Sequence, residues 1–305
     1  MNRKNAIAIG VFDGVHKGHC RILEETAWLA DRTKGKSIVV TFDPHPASVF
    51  NPKNSAPSLI SLKHRLKLMR ESGIDKCVVF NFTKKFSKIT PLAFIKNILV
   101  KKLNAGCVVV GEDFRFGANR QSGVEYLKLK GKEFGFVVKE IKTLKYKGYP
   151  VSSSLIRRSI QNGSLDFAGR LLGRPVTIMG TVVKGNMFGR KIGFPTANIN
   201  PHHEVIPPTG VYAVRVKIDT KQHKGVLNIG TRPTFYGLYK NDKEPTIEVY
   251  IFNFSKNIYK KTAEVEFVKR LRKEKKFFHK EALIKQIKSD IISAKKILNN
   301  LKLKV

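Results

Sequence analysis

Two histidines three residues apart, His16 and His19, follow a short apolar run (Ala6, Ile7, Ala8, Ile9) and a turn that carries Gly10, Asp13 and Gly14. The order is that of a buried strand, a tight turn and a helix N-terminus. There, free backbone N–H groups and the positive end of the helix dipole gather an anion. A spacing of three turns both imidazoles to one side of the first helical turn. Gly14 and Gly18 have no Cβ to hold a ligand away from the backbone. The chemistry that fits is a phosphate site with two side-chain donors; the alternative is a βα turn bearing two surface histidines.

Four more groups of residues have types suited to chemistry. Ser152, Ser153 and Ser154 precede an apolar-periodic run, so they cap a helix and offer hydroxyls to an anion, with Arg157 one turn on; capping alone would also account for them. Asp113, Phe114 and Phe116 follow an apolar run. The aromatic rings there can cover a planar ligand and Asp113 can bond a ribose, a ribityl chain or adenine, but a Phe-rich loop folded onto the core fits the same residues. A glycine-bearing loop, Gly180 to Gly185, precedes Gly189, Arg190, Gly193, Thr196 and Asn198. Its N–H groups suit phosphate, and a hydroxyl and an amide two residues apart suit magnesium, although a barrel corner is an equal reading. The Walker A pattern GxxxxGK[ST] is absent. Glu248 alternates with Tyr250 in TIEVYIF, which makes it a base for a primary alcohol or a solvated strand carboxylate.

The elements that position these groups fall into two kinds. Residues 6–9, 37–41, 77–80, 107–110 and 136–141 read as strands. Between them, residues 21–29, 61–72, 91–103 and 125–131 read as helices, and such alternation predicts a doubly wound α/β sheet with sites at the carboxyl ends of strands. The TFDPHP string at 41–46 ends the second strand, as either a site wall or a proline-stiffened loop. Helices are expected to 160 and over 165–172, with a domain boundary near Gly173. Beyond it, 176–183, 211–218, 225–229, 246–252 and 263–267 read as strands with almost no helix between them, a small antiparallel barrel. Residues 281–301 place Ile284, Ile287, Ile291, Ala294, Leu298 and Leu301 in 3,4 spacing, an amphipathic helix expected to pack on the barrel.

Composition narrows the classes. The chain has 305 residues, enough for two domains, and its 42% hydrophobic content is enough for two cores. Its three cysteines form no CxxC pair, which argues for a reducing compartment and against zinc. No apolar run approaches membrane length and no signal peptide is evident, so a cytoplasmic protein is expected. A net charge of +35 would suit a polyanion, but the lysines are spread over both halves without a nucleic-acid motif. Lysine-rich solvated faces are therefore expected, and neither a nucleic-acid nor a membrane partner; the oligomeric state is not legible.

These residues also carry a family resemblance. The HxGH element resembles the nucleotidylyltransferase superfamily signature, and the longer GVFDGVHKGH is similar to the bacterial bifunctional riboflavin kinase/FAD synthetase family. TFDPHP, GEDFRFG, SSSLIR, GRKIGFPTAN, Gly210–Tyr212, Asn228 to Thr234, Glu248, Arg272 and Glu274 match the same family in order. The resemblance implies a Rossmann-like FMN adenylyltransferase domain over 1–172 and a riboflavin kinase barrel over 173–305. The first would join AMP from ATP to FMN, giving FAD and pyrophosphate; the second would phosphorylate riboflavin to FMN, with ATP and Mg²⁺. It further implies that Gly10, Phe12, Asp13, His16, Gly18, His19, Ser153, Ser154 and Arg157 hold ATP for adenylylation, with Phe42, Asp113, Phe114 and Phe116 on the flavin. In the kinase domain, Gly180, Gly185, Gly189, Arg190, Gly193, Thr196 and Asn198 would hold ATP, Thr196 and Asn198 the metal, Arg272 and Glu274 the flavin, and Glu248 would be the base. The chain departs from the family at Ser122 and Gly123, where an R-x-G-D ending is usual, at Ser154 for Thr, at Tyr250 for His and at Lys260 for Gly.

Overall fold

The computed structural model describes residues 4–52, 55–202, 204–230 and 245–300. The chain divides into two compact units. One is Met1–Ile156 with Leu171–Gly173, and the other is Arg157–Arg170 with Arg174–Val305.

The first unit is built on five parallel strands, β1 (Asn5–Ile9), β2 (Ser37–Asp43), β3 (Lys76–Asn81), β4 (Ala105–Gly111) and β5 (Val137–Ile141), in the order β3-β2-β1-β4-β5. The central position of β1 explains its unbroken apolar run. Flanked by β2 and β4 and covered on both faces, Ala6 to Ile9 are at most 2% exposed. Burying Ile7 and Ile9 stabilises the sheet by about 2 kcal/mol each. The helices are α1 (Lys17–Arg32), α2 (Pro46–Phe50), α3 (Leu62–Glu71), α4 (Pro91–Ala93) and α5 (Val124–Phe134). Ser61 caps α3 by accepting the His64 N–H, and Gly135 ends α5 in the left-handed conformation. The helix expected over 91–103 starts as α4 and continues as a π-helix, Phe94–Lys102, whose apolar side packs Phe94, Ile95, Ile98 and Leu99 into the core. A two-stranded hairpin that periodicity did not mark, β6 (Lys145–Tyr146) with β7 (Tyr149–Pro150), turns at Lys147 and Gly148, both at positive φ. Then come α6 (Ser153–Gln161) and α7 (Leu165–Leu172).

The second unit is a closed antiparallel barrel of β8 (Thr177–Val183), β9 (Ala197–Pro201), β10 (Gly210–Ile218), β11 (Lys221–Gly230), β12 (Thr246–Ile251) and β13 (Thr262–Arg272), in the order β10-β11-β12-β9-β8-β13. One short helix, α8 (Phe188–Lys191), lies between β8 and β9, and α9 (Lys280–Asn300) follows β13. Strand β12 alternates cleanly, with Ile247, Val249 and Ile251 buried and Glu248 and Tyr250 half-buried. Strand β10 is buried on both faces because α9 packs on β10 and β11. Ala294 and Leu298 join Ala213 in one cluster, as the tail's spacing predicts; Leu301 lies outside the described residues. One polar residue breaks the apolar stripe of α9, since Asp290 is only 6% exposed. Strand β9 is the sixth barrel strand, in a segment that reads from sequence as a crossover loop.

Candidate functional sites

In the first unit the strand order reverses between β1 and β4, the switch point where open α/β sheets bind ligands beyond their carboxyl ends. Three of the expected segments lie at such ends: the turn after β1, the TFDPHP string at the end of β2 and the loop after β4. In the first of them Phe12, Gly14 and Val15 all have positive φ, so the chain turns sharply before α1. His16 is the N-cap of α1, its Nδ1 accepting the His19 N–H at 3.3 Å. That assigns the proton of the neutral ring to Nε2 and makes it a donor. The two imidazoles stack with centroids 3.6 Å apart, and Phe12 meets His19 edge-on at 5.3 Å.

Several residues of this turn serve its shape. A Cβ on Gly18 would lie 3.2 Å from the His16 ring, so Gly18 makes room for the imidazole. On Gly14, at φ +84°, a Cβ would meet Leu59 at 2.7 Å, and on Gly10 it would meet the Phe12 ring at 3.1 Å. The carboxylate of Asp13 is 4% exposed and accepts the N–H of Leu59 at 2.9 and 3.1 Å and that of Ile60 at 3.4 Å. Ser152 caps α6 by accepting the Leu155 N–H, while Ser153 Oγ donates to the carbonyl of Asp13 at 2.9 Å. Ser154 is exposed on the first turn of α6. Arg157, one turn further along, falls in the second unit, and its assignment rests on the sequence motif alone.

Phe42 stands in an aromatic group with Phe82 at 5.7 Å and Phe86 at 5.9 Å. Beyond it, Asp43 and Pro44 are joined by a cis peptide bond and His45 caps α2. In the loop after β4, Asp113 is exposed and Phe114 half-buried, but Phe116 is 7% exposed and belongs to the core cluster. Phe114 and Phe116 stack at 5.4 Å, so the inner ring supports the outer one. Backbone bonds between Phe116 and Ser122 close the loop, and Gly123 lies against Arg115. Arg65, which no motif marked, donates to the carbonyls of Val11 and Phe42.

In the second unit, β9 places the hydroxyl–amide pair beside the carboxylate. Asn198 is directly opposite Glu248 across β9 and β12, and Thr196 Oγ1 donates to Glu248 Oε2 at 3.4 Å. A cavity of about 460 Å³ is lined by Arg190, Thr196, Ala197, Val249 and the segment from Phe254 to Tyr259, which had not been marked from sequence. A second, of about 220 Å³, is lined by Phe188, Gly189, Phe194, Thr196, Asn228, Glu248, Tyr250, Arg272 and Glu274, with Leu283, Ile287 and Ile291 of α9. Thr196 borders both.

Arg272 is held by Asp290, to which its Nε and Nη2 donate at 2.9 to 3.1 Å, a fork that the planar guanidinium suits. A Cβ on Gly230 would come within 2.7 Å of Glu274, so this glycine admits the carboxylate. Tyr250 packs edge-on against Phe194 at 5.7 Å. The glycines divide into two groups. Gly185 leaves room for Asn198, whose amide would lie 2.0 Å from a Cβ there, and Gly189 sits over Phe194 and Thr196. Gly193 has φ +88°. Gly180, expected in the phosphate loop, is instead inside β8, paired with Pro201 and Ala263, and its lack of a Cβ lets Asn200 approach. Gly189 and Arg190 belong to α8 rather than to an open loop. The matches at Thr231 to Thr234 lie outside the described residues.

Two family models match this chain, one described as FAD synthetase over residues 1–155 and one as Riboflavin kinase over residues 172–298. A bifunctional riboflavin kinase/FMN adenylyltransferase of Buchnera aphidicola (Schizaphis graminum) is 36% identical over 301 residues, 98% of this chain and 96% of that protein. Proteins of the same name from Bacillus subtilis and Escherichia coli K12 are each 35% identical, over 98% and 95% of this chain and 94% and 91% of their own lengths. The crystal structure of a Streptococcus pneumoniae protein described as a macrolide-efflux protein superposes with a TM-score of 0.82 at 29% identity, covering 97% of this chain and 95% of that one. Among the described residues of this chain, no helix is long and apolar enough to cross a membrane.

Proposed function

The chain belongs to the bifunctional riboflavin kinase/FMN adenylyltransferase family, and we propose that its two reactions are run at the two sites described above. The enzyme phosphorylates riboflavin with ATP to give FMN in its C-terminal part and transfers AMP from ATP to FMN in its N-terminal part, releasing pyrophosphate. The residue assignments are our reading, as is a division of the chain at 172/173.

At the kinase site the carrying observation is Thr196, which borders both cavities and bonds Glu248. ATP occupies the larger cavity, along Arg190 and Thr196, and the glycines at 185, 189 and 193 shape the loop between β8 and β9. Riboflavin occupies the smaller one, against Arg272 and Glu274. Glu248 takes the proton of the 5′-hydroxyl as its oxygen attacks the γ-phosphorus and ADP leaves. Thr196 and Asn198 offer neutral oxygens next to a carboxylate, a donor set that suits magnesium, and these two residues would hold it. The ion supplies positive charge against the phosphate oxygens.

At the adenylyltransferase site the phosphate of FMN attacks the α-phosphorus of ATP directly, so no protein nucleophile is required. His16 and His19 at the N-terminus of α1, with Ser153 and Ser154, hold the ATP phosphates and stabilise charge on the departing pyrophosphate. Asp13 and Gly18 support the turn, and Phe42, Asp113 and Phe114 seat the flavin and nucleotide, with Phe116 acting from beneath Phe114. Three free cysteines support a cytoplasmic setting.

The test is a time course of the purified protein with riboflavin, ATP and Mg²⁺, the flavins being separated by chromatography. FMN that rises and then gives way to FAD supports both assignments. FMN that persists would remove the adenylyl-transfer assignment, and absence of product from either riboflavin or FMN would remove both.

A further inference from the structure

Arg65 is buried, 5% exposed, on α3, and its two terminal nitrogens do different work. Nη1 donates to the carbonyl of Val11 at 2.6 Å and Nη2 to that of Phe42 at 3.0 Å. Val11 immediately precedes Phe12, whose positive φ begins the turn toward His16, and its carbonyl also accepts Thr41 Oγ1 at 3.0 Å. Phe42 lies at the carboxyl end of β2. One side chain thus bridges the ends of adjacent parallel strands beside the switch point, while Asp13, two residues beyond Val11, is tied to Leu59 and Ile60 just ahead of α3.

This arrangement is a costly way to hold a helix on a sheet. Arg65 Nε is buried with no hydrogen-bond partner among the described residues. Burial pushes the guanidinium pKa down, against the pull of Asp13 and of Asp43, whose carboxylate is 3.9 Å away. An apolar residue of similar volume would pack there without a desolvated charge. What it would not do is reach two separate carbonyls from one planar fork, and a lysine with a single terminal nitrogen would not do so in that geometry either. Residues that break a local rule in this way are expected at functional or strained sites.

We propose that Arg65 is a positioning residue for adenylyl transfer, joining the ends of β1 and β2 so that the turn carrying His16 and His19 keeps its reactive geometry. The proposal rests on assigning AMP transfer to the His16–His19 site. Its effect falls on the chemical step, because a displacement of about 1 Å in the groups that align two phosphates costs on the order of 100-fold in rate while most binding contacts survive.

The experiment measures kcat and both KM values for FAD formation from FMN and ATP in the full-length wild type, R65K and R65A, with riboflavin phosphorylation assayed on the same preparations. Expected is a kcat for FAD formation reduced about 10-fold or more in R65K and about 100-fold in R65A, KM values within about threefold, and unchanged riboflavin phosphorylation. A wild-type kcat in R65K, or a loss carried by KM alone, overturns the proposal; R65K decides it if R65A fails to fold. H19A, measured alongside, separates two failures. Full FAD formation in H19A would remove the site assignment itself, whereas its loss there with a normal R65K would remove only the role given to Arg65.

Discussion

Replacing Glu248 by Gln should stop FMN formation without touching the shape of its cavity. Among the described residues, the carboxylate's one side-chain hydrogen bond comes from Thr196 Oγ1 at 3.4 Å, and the amide oxygen of Gln can accept the same proton. At that length the bond contributes less than about 1 kcal/mol, so folding and riboflavin binding should hardly change. What is lost is the base. A positioned general base contributes about 10²- to 10⁴-fold, which at 1.36 kcal/mol per decade places about 3 to 5 kcal/mol on the barrel site's barrier. The assay has two arms on one preparation: FMN from riboflavin, and FAD from supplied FMN. The first should fall by at least about 100-fold in kcat with riboflavin KM nearly constant, and the second should stay at wild type. Glu248→Asp withdraws the carboxylate by about 1.5 Å and should fall between. A kcat for E248Q within threefold of wild type would refute the assignment of the base, and an equal fall in both arms would refute separate sites.

Three further outcomes are expected. His19→Ala should let FMN accumulate from riboflavin, its FAD-forming kcat dropping about 10²- to 10³-fold, as seen by flavin chromatography. Asp290→Ala leaves Arg272 without its fork partner at a site where the acid's side chain is 7% and the arginine's side chain 22% exposed. It should cost about 2 kcal/mol in urea unfolding and raise the KM for riboflavin but not for ATP, because Arg272 borders only the smaller cavity. Asp75 accepts both the N–H and the hydroxyl of Ser37, at 2.8 and 2.7 Å, and these bonds hold its carboxyl pKa below the usual value. A depressed folded-state pKa stabilises the fold above the unfolded-state pKa and loses that effect as pH falls through the folded one. The urea midpoint of wild type should therefore exceed that of Asp75→Asn near pH 7, and the gap should close below about pH 4.

Much of this architecture is legible because the elements that carry it are locally consistent. The run from Ala6 to Ile9 reads as a buried strand and is one, since a central parallel strand needs apolar residues on both faces. His16 and His19 read as a pair because helical spacing alone brings them together. Strand β9 escaped because its sequence, ANINP, is short with one β-branched residue, Ile199, and its partners in β12, Glu248 and Val249, are some fifty residues away. The π-helical step over Phe94–Lys102 depends on a hydrogen-bond register that composition does not encode. Asp13, expected with the ATP site, accepts the N–H groups of Leu59 and Ile60, partners that its own motif does not show. Arg65 and Asp290 were invisible for the same reason. A buried charge declares itself only through partners that the fold brings from elsewhere.

The register of β9 also bears on how this barrel can drift in evolution. Thr196 borders the cavities just ahead of β9, and Asn198 stands opposite Glu248 within it, so both positions depend on where the strand begins. Inserting or deleting one residue at Ala197 would turn every later side chain of β9 to the opposite face and carry the Asn198 amide away from the carboxylate. The stretch between β8 and β9, from Lys184 to Pro195, pairs with no strand among the described residues, yet Arg190 lines the larger cavity and Phe188, Gly189 and Phe194 the smaller, so the sites rather than a strand register fix its length. Length variation among descendants of this gene should accordingly be excluded from Phe188 through the end of β9.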